Sequence, residues 1–485
     1  MPSRRVLIVS VCFPPLAEVG SQRPARLCRY LPDHGWEPAV LTVSLGCARP
    51  RDDSLMDLVP PGLRVYRTAC GNWYRHSYAY RHWQARGLSR LLHVPFHMLA
   101  RVVHGGMVPD DCVTWRPAAL HRAEQIRREF PFDVVLACMS PWSVGLAARD
   151  IAERFRVPYV LDLRDPWTAS PERYAPRNLA LERALERELI ARAAAFVANT
   201  QGQERLHLDV FGDLLHGRTT VVNNSFDPRE WDGVRGERFE KFTMLFTGNV
   251  HRWVSLAPLI QALRQLRDRK ALPAGRYELL CHGTAHPSER ARVVEMGLTD
   301  CVRFERTVPR LELMPKVLGA QLLVATVRWP FAVPAKVYNY LGAGGPILMI
   351  GPQDGDAARI VRETGCGFTA GEDEVEQIAE VVLRAFRSWA AGRPILDHRR
   401  DARHQTGQTR GREPAVNPMP AGRDHPHGTA RVDAGGQEQD PLAVSGPDRG
   451  LQYATPRMAA RLAACLDRVL KPSVAPTRAL AEDPA

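Results

Sequence analysis

The chain has 485 residues, which is too many for one hydrophobic core and favours two domains with a cleft between them. Its 65 Lys and Arg residues against 53 Asp and Glu residues give a net charge of +12, which favours an anionic partner. No run approaches the roughly 20 apolar residues of a membrane-spanning helix, and the short apolar run near the N-terminus indicates a first strand rather than a signal peptide.

Short β-branched segments alternate with helix-length segments through the first half of the chain. This alternation is typical of parallel βαβ units in an α/β protein. We therefore expect an N-terminal, doubly wound, parallel-sheet domain over residues 1–225. The predicted strands are residues 6–11, 40–43, 134–137, 159–162, 196–198 and 220–222.

An unusual segment at residues 71–108 interrupts this domain. It is rich in aromatic residues and arginine, and its last part, HVPFHMLARVVHGG, places apolar residues at helical spacing. An amphipathic helix of this kind can rest on an anionic membrane surface. It can equally pack on its own domain, as most apolar helix faces do.

A second series of strands predicts another doubly wound domain over residues 240–389, joined to the first near NNSFDPREWDG. The predicted strands of this half are residues 243–247, 278–281, 302–305, 321–327 and 347–350.

The end of the chain changes character after this second domain. Residues 390–452 contain no Phe, Tyr or Trp, so disorder is expected there, unless the stretch is read in a shifted frame. Residues 453–470 regain an apolar helical face and predict a docking helix, followed by a disordered tail at 471–485.

Ligands of doubly wound sheets bind at the carboxyl ends of the strands, so the loops after the predicted strands are candidate sites. In the loop after the first strand, Gly20 and Ser21 open a helix and Arg23 lies in its first turn, where backbone N–H groups can bind an anion. The dinucleotide-binding pattern G-x-G-x-x-G is absent. An ordinary glycine turn with a surface arginine is the alternative.

The loop YVLDLRDPW places Asp162 and Asp165 on either side of Arg164 at the end of a strand. These carboxylates can orient an acceptor hydroxyl or accept its proton. A plain ion pair with arginine is the competing interpretation.

Two loops of the second half carry candidate cations. In FTGNVHRW, Gly248 allows a ligand close to the backbone and Arg252 supplies a fixed charge. In FAVPAKVYNYLGAGGP, Pro334 begins a helix whose free N–H groups point at an anion, and Lys336 adds a mobile charge there. Asn339, one turn on, can hydrogen-bond sugar hydroxyls.

Taken together, the chain resembles bacterial family-4 glycosyltransferases of the GT-B fold, of the polysaccharide and cell-surface glycan type. The resemblance covers roughly residues 4–388, and its motifs occur in family order. They are VGSQRPARLCRYLPDHGWEPAVLTV, PDDCVTWRPAAL, FDVVLACMSPWSVGLAA, VPYVLDLRDPW, VVNNSFDP, FTGNV and VPAKVYNYLGAGGPILMIGPQDGDAARIVRETGCGF. It implies two Rossmann-like domains facing across a cleft, with a C-terminal helix crossing back.

The resemblance also implies roles for individual residues. Arg252 and Lys336 would neutralise a diphosphate, and the loop at 331–335, including Phe331 and Pro334, would hold phosphate and sugar. Asn339 falls where the family usually has a ribose-binding glutamate. His282, Gly283 and Thr307 lie on loops expected near the base.

This chain departs from the family pattern at four positions. The two glutamates that the family commonly carries are replaced by Phe331 and Asn339. Asn249 stands where an arginine is usual, and Val254 stands where a lysine is common. Arg252 would then have to replace two cations.

The preferred hypothesis is a retaining glycosyltransferase that moves a sugar from a nucleotide-diphosphate sugar to a hydroxyl of a glycan or lipid-linked acceptor. A divalent metal is not required, because the cations can take its role and no carboxylate cluster is visible. A nucleotide-sugar epimerase of the same fold and a catalytically impaired binding homologue are the alternatives.

The remaining sequence features concern setting and partners. The ten cysteines show no C-x-x-C pair and no paired His spacing, which indicates neither a zinc site nor a disulfide framework. A cytoplasmic location is expected, with possible peripheral contact at the inner face of the cell membrane. No nucleic-acid-binding motif accompanies the basic charge, so nucleic acid is not an expected partner.

Overall fold

The computed structural model describes residues 4–45, 50–70, 107–170, 179–250, 254–396 and 449–471. Two parallel sheets with surrounding helices form two domains that face each other, which confirms the expected α/β layout. Much of three predicted segments lies outside the described residues: 71–106 of the aromatic insertion, 397–448 of the segment without aromatics, and 472–485 of the tail.

The N-terminal domain is built on a seven-stranded sheet of order β3-β2-β1-β4-β5-β6-β7. Its strands are β1 (Arg4–Val9), β2 (Trp36–Val43), β3 (Arg64–Thr68), β4 (Val134–Met139), β5 (Tyr159–Leu163), β6 (Ala195–Ala198) and β7 (Thr219–Val221). Its helices are α1 (Gln22–Tyr30), α2 (Arg116–Glu129), α3 (Ser143–Phe155), α4 (Leu179–Arg192) and α5 (Gln201–Leu215). All neighbouring strands pair in parallel.

The C-terminal domain repeats the plan with a six-stranded sheet of order β10-β9-β8-β11-β12-β13. Its strands are β8 (Phe242–Thr247), β9 (Tyr277–His282), β10 (Val302–Glu305), β11 (Leu322–Thr326), β12 (Ile347–Ile350) and β13 (Gly367–Ala370). Its helices are α6 (Ala257–Asp268), α7 (Pro287–Glu295), α8 (Arg310–Gly319), α9 (Ala335–Ala343), α10 (Asp356–Thr364) and α11 (Val375–Ala390).

The central strands are apolar on both faces because each sheet is covered on both sides. In β1, Leu7 and Val9 belong to one buried cluster, whereas Val6 and Ile8 belong to the cluster on the opposite face. Continuous apolar runs of this kind are characteristic of parallel sheets. The arrangement directs all strands of a domain the same way, so their carboxyl ends form one edge.

The helix after the long undescribed segment, α12 (Thr455–Leu470), packs on the N-terminal domain. Its apolar side chains Met458, Leu462 and Leu466 are fully buried with the strand residues Val6 and Ile8. Tyr453, just before this helix, contacts the C-terminal domain. Its ring lies 5.9 Å from the ring of Tyr338, measured between centroids. The chain therefore returns to the first domain after completing the second.

Two strands were not predicted from the sequence, β3 and β13. Both are edge strands, and most of their residues are only partly buried. An edge strand needs fewer apolar residues, so RVYRT and GFTA show little of the apolar pattern that marks the central strands.

Cysteine pairing differs in one place from the sequence-based expectation. Eight cysteines of the described residues are free thiols and Cys70 is disulfide-bonded, whereas the sequence indicated no disulfide framework. Nothing in the spacing of scattered cysteines marks such a bond. Within the described ranges, no helix is both long enough and apolar enough to cross a membrane.

Candidate active site in the cleft between the domains

A cavity of about 640 Å³ lies between the two domains, at the carboxyl ends of both sheets. This is the edge at which doubly wound sheets bind ligands. One wall follows strands of the N-terminal domain and is rich in polar side chains, among them Glu18, Gln22, Arg23, Arg164, Asp165, Asn199, Gln203 and Asn224. The other wall includes Thr247, Gly248, His282, Thr307, Phe331, Pro334, Lys336 and Asn339.

Helix α9 presents its N-terminus to the cleft. Pro334 precedes it without a side-chain cap, and Gly344, with a φ of 70°, ends it in the left-handed conformation. The first N–H groups of a helix have no partner within the helix. Tyr340, one turn after Lys336, accepts a hydrogen bond at 3.1 Å from the backbone N–H of Thr247 at the end of β8. Lys336 is therefore held next to the turn that follows β8.

The ammonium of Lys336 lies over an apolar ring, and none of the described residues supplies a counter-ion. Its Nζ lies 3.4 Å from the centroid of the Phe246 ring. No ion pair of Lys336 with any described carboxylate is present. Burial lowers the pKa of Lys336 from its usual value to about 7. An anion that binds beside this amine stabilises its charged form, because an opposite charge nearby favours the protonated state.

The turn after β8 brings backbone close to this ammonium. Gly248 has a φ of 101°, and a Cβ placed on it would lie 3.5 Å from Lys336 Nζ. Its N–H donates to the carbonyl of His282 at 2.8 Å. Gly283 packs directly on this turn, since a Cβ there would lie 2.1 Å from the Gly248 carbonyl oxygen. Gly283 thus shapes the turn and does not line the cavity.

Asn339 faces the N-terminal domain from the same helix. Its side-chain oxygen accepts a hydrogen bond from Arg26 at 3.2 Å. Arg26 also binds Glu230 through two nitrogens, and Arg310 contacts the same carboxylate at 2.6 Å. Burial acts to raise the pKa of Glu230, but the two guanidinium groups outweigh it and hold that pKa below its usual value. Asn339 is therefore part of an interdomain network of charges.

Arg23 and Asp162 form a buried ion pair. The guanidinium of Arg23 donates to both carboxylate oxygens of Asp162, at 2.9 and 2.7 Å, and also to the carbonyls of Val222 and Asn223. Burial tends to lower the pKa of Arg23, but Asp162 raises it above its usual value. Asp162 is fully buried and does not line the cavity. The geometry corrects the expectation that Asp162 acts on an acceptor, because its oxygens are engaged with Arg23.

The glycine turn after β1 also differs from the anion site expected there. A Cβ on Gly20 would lie 1.6 Å from the guanidinium of Arg164, so Arg164 covers this turn. The hydroxyl of Ser21 is buried and has no hydrogen-bond partner among the described residues. Neither Gly20 nor Ser21 lines the cavity, whereas Asp165 does.

Most of the other predicted site residues meet in the cavity wall. The structure brings together Arg23, Asp165, Gly248, His282, Thr307, Phe331, Pro334, Lys336 and Asn339. It places Asp162, Gly20, Ser21 and Gly283 behind that wall. Arg252 lies outside the described residues, so its predicted contact with a diphosphate stays a prediction.

Sequence reasoning missed the role of the arginine row on α1. Arg23, Arg26 and Arg29 recur every three residues and all bind the segment that connects the domains, Arg29 through Asp227. The spacing R-x-x-R-x-x-R places three cations on one helix face and was a visible signal. These arginines hold the connecting segment against the first domain.

A group of potential metal ligands occurs away from the cavity. In the part of the chain that the structure describes, Asp110, Asp111 and Cys112 are the residues whose ligand atoms converge. The carboxylate of Asp110 already accepts from the backbone N–H groups of Cys112 and Ser143. None of the three lines the cavity.

Two facing doubly wound domains with a cavity at their strand ends define the GT-B arrangement of glycosyltransferases. Residues 20–225 match the family model of the glycosyl transferase 4-like domain. Residues 20–225 therefore carry a glycosyl transferase 4-like domain, and the chain as a whole has the GT-B fold. A search of curated proteins finds no significant match.

Solved structures of the same fold have low sequence identity to this chain. A glycosyltransferase from Rickettsia africae ESF-5 is 11% identical with a TM-score of 0.59, covering 98% of this chain and 100% of its own. Sucrose-phosphate synthase from Thermosynechococcus elongatus is 14% identical with a TM-score of 0.56, covering 84% and 98%. HepE from Anabaena, in complex with UDP and glucose, is 15% identical with a TM-score of 0.52, covering 82% and 94%.

Proposed function

We propose that this protein transfers a sugar, with retention of configuration, from a nucleotide-diphosphate sugar to a hydroxyl group of a glycan or lipid-linked acceptor. The observation that carries the proposal is Lys336. Its ammonium stands at the start of α9, beside Gly248, without a carboxylate partner among the described residues. A diphosphate supplies the negative charge that this place lacks. HepE, a protein of the same fold, has been solved with bound UDP and with bound UDP-glucose, and both ligands contain a diphosphate.

The reaction needs stabilisation of the leaving group. When the glycosidic bond breaks, negative charge grows on the departing diphosphate. The ammonium of Lys336 and the free N–H groups at the start of α9 stabilise that charge, and groups fixed in place before the reaction do so most effectively. No covalent nucleophile and no metal ion enter this scheme.

The acceptor half of the cavity suits hydroxyl groups. Asp165, Asn199, Gln203 and Asn224 supply carboxylate and amide groups on that wall. The amides can both donate hydrogen bonds to hydroxyls and accept hydrogen bonds from them, whereas the carboxylate accepts. Asp165 takes the role of orienting the acceptor, because it lines the cavity and Asp162 does not.

The test is a panel of nucleotide-diphosphate sugars, assayed for nucleotide release with and without a crude glycan or lipid-linked acceptor. Release that depends on the acceptor supports transfer. A new sugar nucleotide formed from donor alone would favour an epimerase. Calorimetry that shows no binding of any common nucleotide-sugar would contradict both activities.

We expect donor affinity to depend on pH through Lys336. Its pKa is about 7 in the free protein, and a bound diphosphate favours the charged form, so the pKa is higher in the complex. Binding then takes up a proton. The dissociation constant should be lowest below pH 7 and rise by up to about tenfold per pH unit above it, until the pKa of the complex is reached.

Calorimetry with UDP-glucose from pH 6 to 9 measures this dependence, because a sugar nucleotide lacks the terminal phosphate group that titrates near pH 6. The matched control is Lys336→Arg, whose guanidinium stays charged and should give a nearly flat profile. Equal slopes for the two proteins would exclude Lys336 as the titrating group.

A further inference from the structure

The N-terminal domain contacts the loop before α9 through the residue that caps α5. The hydroxyl of Thr200 donates to the carbonyl oxygen of Phe331 at 2.7 Å, in a buried position. The same hydroxyl accepts a hydrogen bond from the backbone N–H of Gln203 at 3.0 Å. One side chain therefore caps a helix of the first domain and binds a loop of the second.

A second hydrogen bond joins the start of α5 to the C-terminal domain. The backbone N–H of Gly202 donates to the carboxylate of Asp356 at 2.7 Å. Asp356 is 2% exposed, and its other oxygen binds Arg359 at 2.8 Å. The N–H of Asp356 donates to the carbonyl of Pro330 at 2.8 Å. A carboxylate at a helix N-terminus is stabilised by the free N–H groups and the helix dipole.

The absence of a side chain at Gly202 permits this close approach. A Cβ there would lie 2.5 Å from Asp356 Oδ2 and 2.8 Å from the Cα of Phe331. The second of these atoms is backbone and cannot rotate away. Any larger residue would displace the Phe331 loop from α5.

The loop that begins at Phe331 is expected to contact the nucleotide-sugar donor. Phe331 lines the cavity and lies five residues before Lys336. Its side chain has no polar group, so only its backbone can be fixed by a hydrogen bond. A displacement of about 1 Å in such a loop is enough to misalign reacting groups.

Resting on the proposed function, we infer that Thr200 and Gly202 are positioning residues of the N-terminal domain that fix the Phe331 loop and the start of α9 for sugar transfer. The domain that receives the acceptor thereby sets the geometry of the donor loop. Productive geometry is complete only when the two domains meet.

Two substitutions at Thr200 separate this role from helix capping. Serine keeps both the hydroxyl that donates to the Phe331 carbonyl and the N-cap of α5. Aspartate keeps a good cap but has no proton to donate to the Phe331 carbonyl. We expect Thr200→Asp to lower kcat by about tenfold or more, with UDP affinity changed less than about threefold, and Thr200→Ser to restore turnover. Equal kcat in the two variants would overturn the inference.

Hydrogen exchange tests the contact without any activity. Amides of residues 330–336 should exchange faster in Thr200→Asp than in Thr200→Ser, while those of the core strand β8 stay unchanged. Gly202→Ala should show the same local increase and covers the case in which Thr200→Asp does not fold. Unchanged exchange in that peptide would overturn the inference. A protein that shows the exchange difference but turns over no donor refutes the proposed function instead.

Discussion

Lys336→Ala is expected to reduce the rate of sugar transfer by about a hundredfold to a thousandfold, the usual cost of removing one preorganised group that stabilises developing charge. The ammonium lies close to Gly248 and the start of α9, and it pairs with no carboxylate among the described residues. Its loss removes this charge from beside the departing diphosphate. Initial rates of nucleotide release, measured over a range of donor concentrations, give the effect on kcat and KM.

A matched control uses another lysine of the same domain. Lys316 on α8 pairs with Glu237 at 2.7 Å and does not line the cavity. Lys316→Ala removes the same charge from the same domain and should leave the rate within about twofold, since surface ion pairs contribute little. Unchanged turnover in Lys336→Ala would remove that residue from the site.

The second large effect concerns folding rather than catalysis. Asp162→Asn is expected to lower the free energy of unfolding by about 3–5 kcal/mol, because it leaves the Arg23 guanidinium buried without its charge partner. The two side chains are 5% and 0% exposed. The midpoint of thermal unfolding, measured by scanning calorimetry, should fall by several degrees.

The Arg187–Asp213 pair provides the comparison, because its two side chains are 51% and 57% exposed. Asp213→Asn should leave the unfolding midpoint unchanged. A catalytic role for Asp162 would give the opposite pattern, with normal stability of Asp162→Asn and lost turnover. Measuring both quantities on one preparation decides between the two roles.

Several features of the site could be read from local sequence. Pro334 and Lys336 stand at the start of α9, and Gly344 ends it, because proline suits a first helical turn and glycine suits a left-handed end. Gly248 at the end of a strand indicated a close backbone approach, and the structure gives it a φ of 101°. These are properties of a few neighbouring residues.

Other features depended on residues far apart in the chain. Arg23 was expected to bind an anion, but it reaches Asp162, 139 residues away. The bond from Thr200 to Phe331 joins residues 131 apart and has no local signal. Such pairs depend on the order of strands and on how the domains face each other, and the strand pattern specifies neither.

The amino-acid sequence by itself determined the doubly wound architecture, the helix that carries Lys336 and the loops where a ligand can bind, because hydrophobic periodicity and turn chemistry act over a few residues. The tertiary structure alone decided which of those loops share a cavity and which of their charges are free. Asp162 and Lys336 were both predicted site residues. Folding buries the carboxylate against Arg23 and leaves the ammonium without a counter-ion among the described residues, since charge pairing depends on distances that only the packed chain defines.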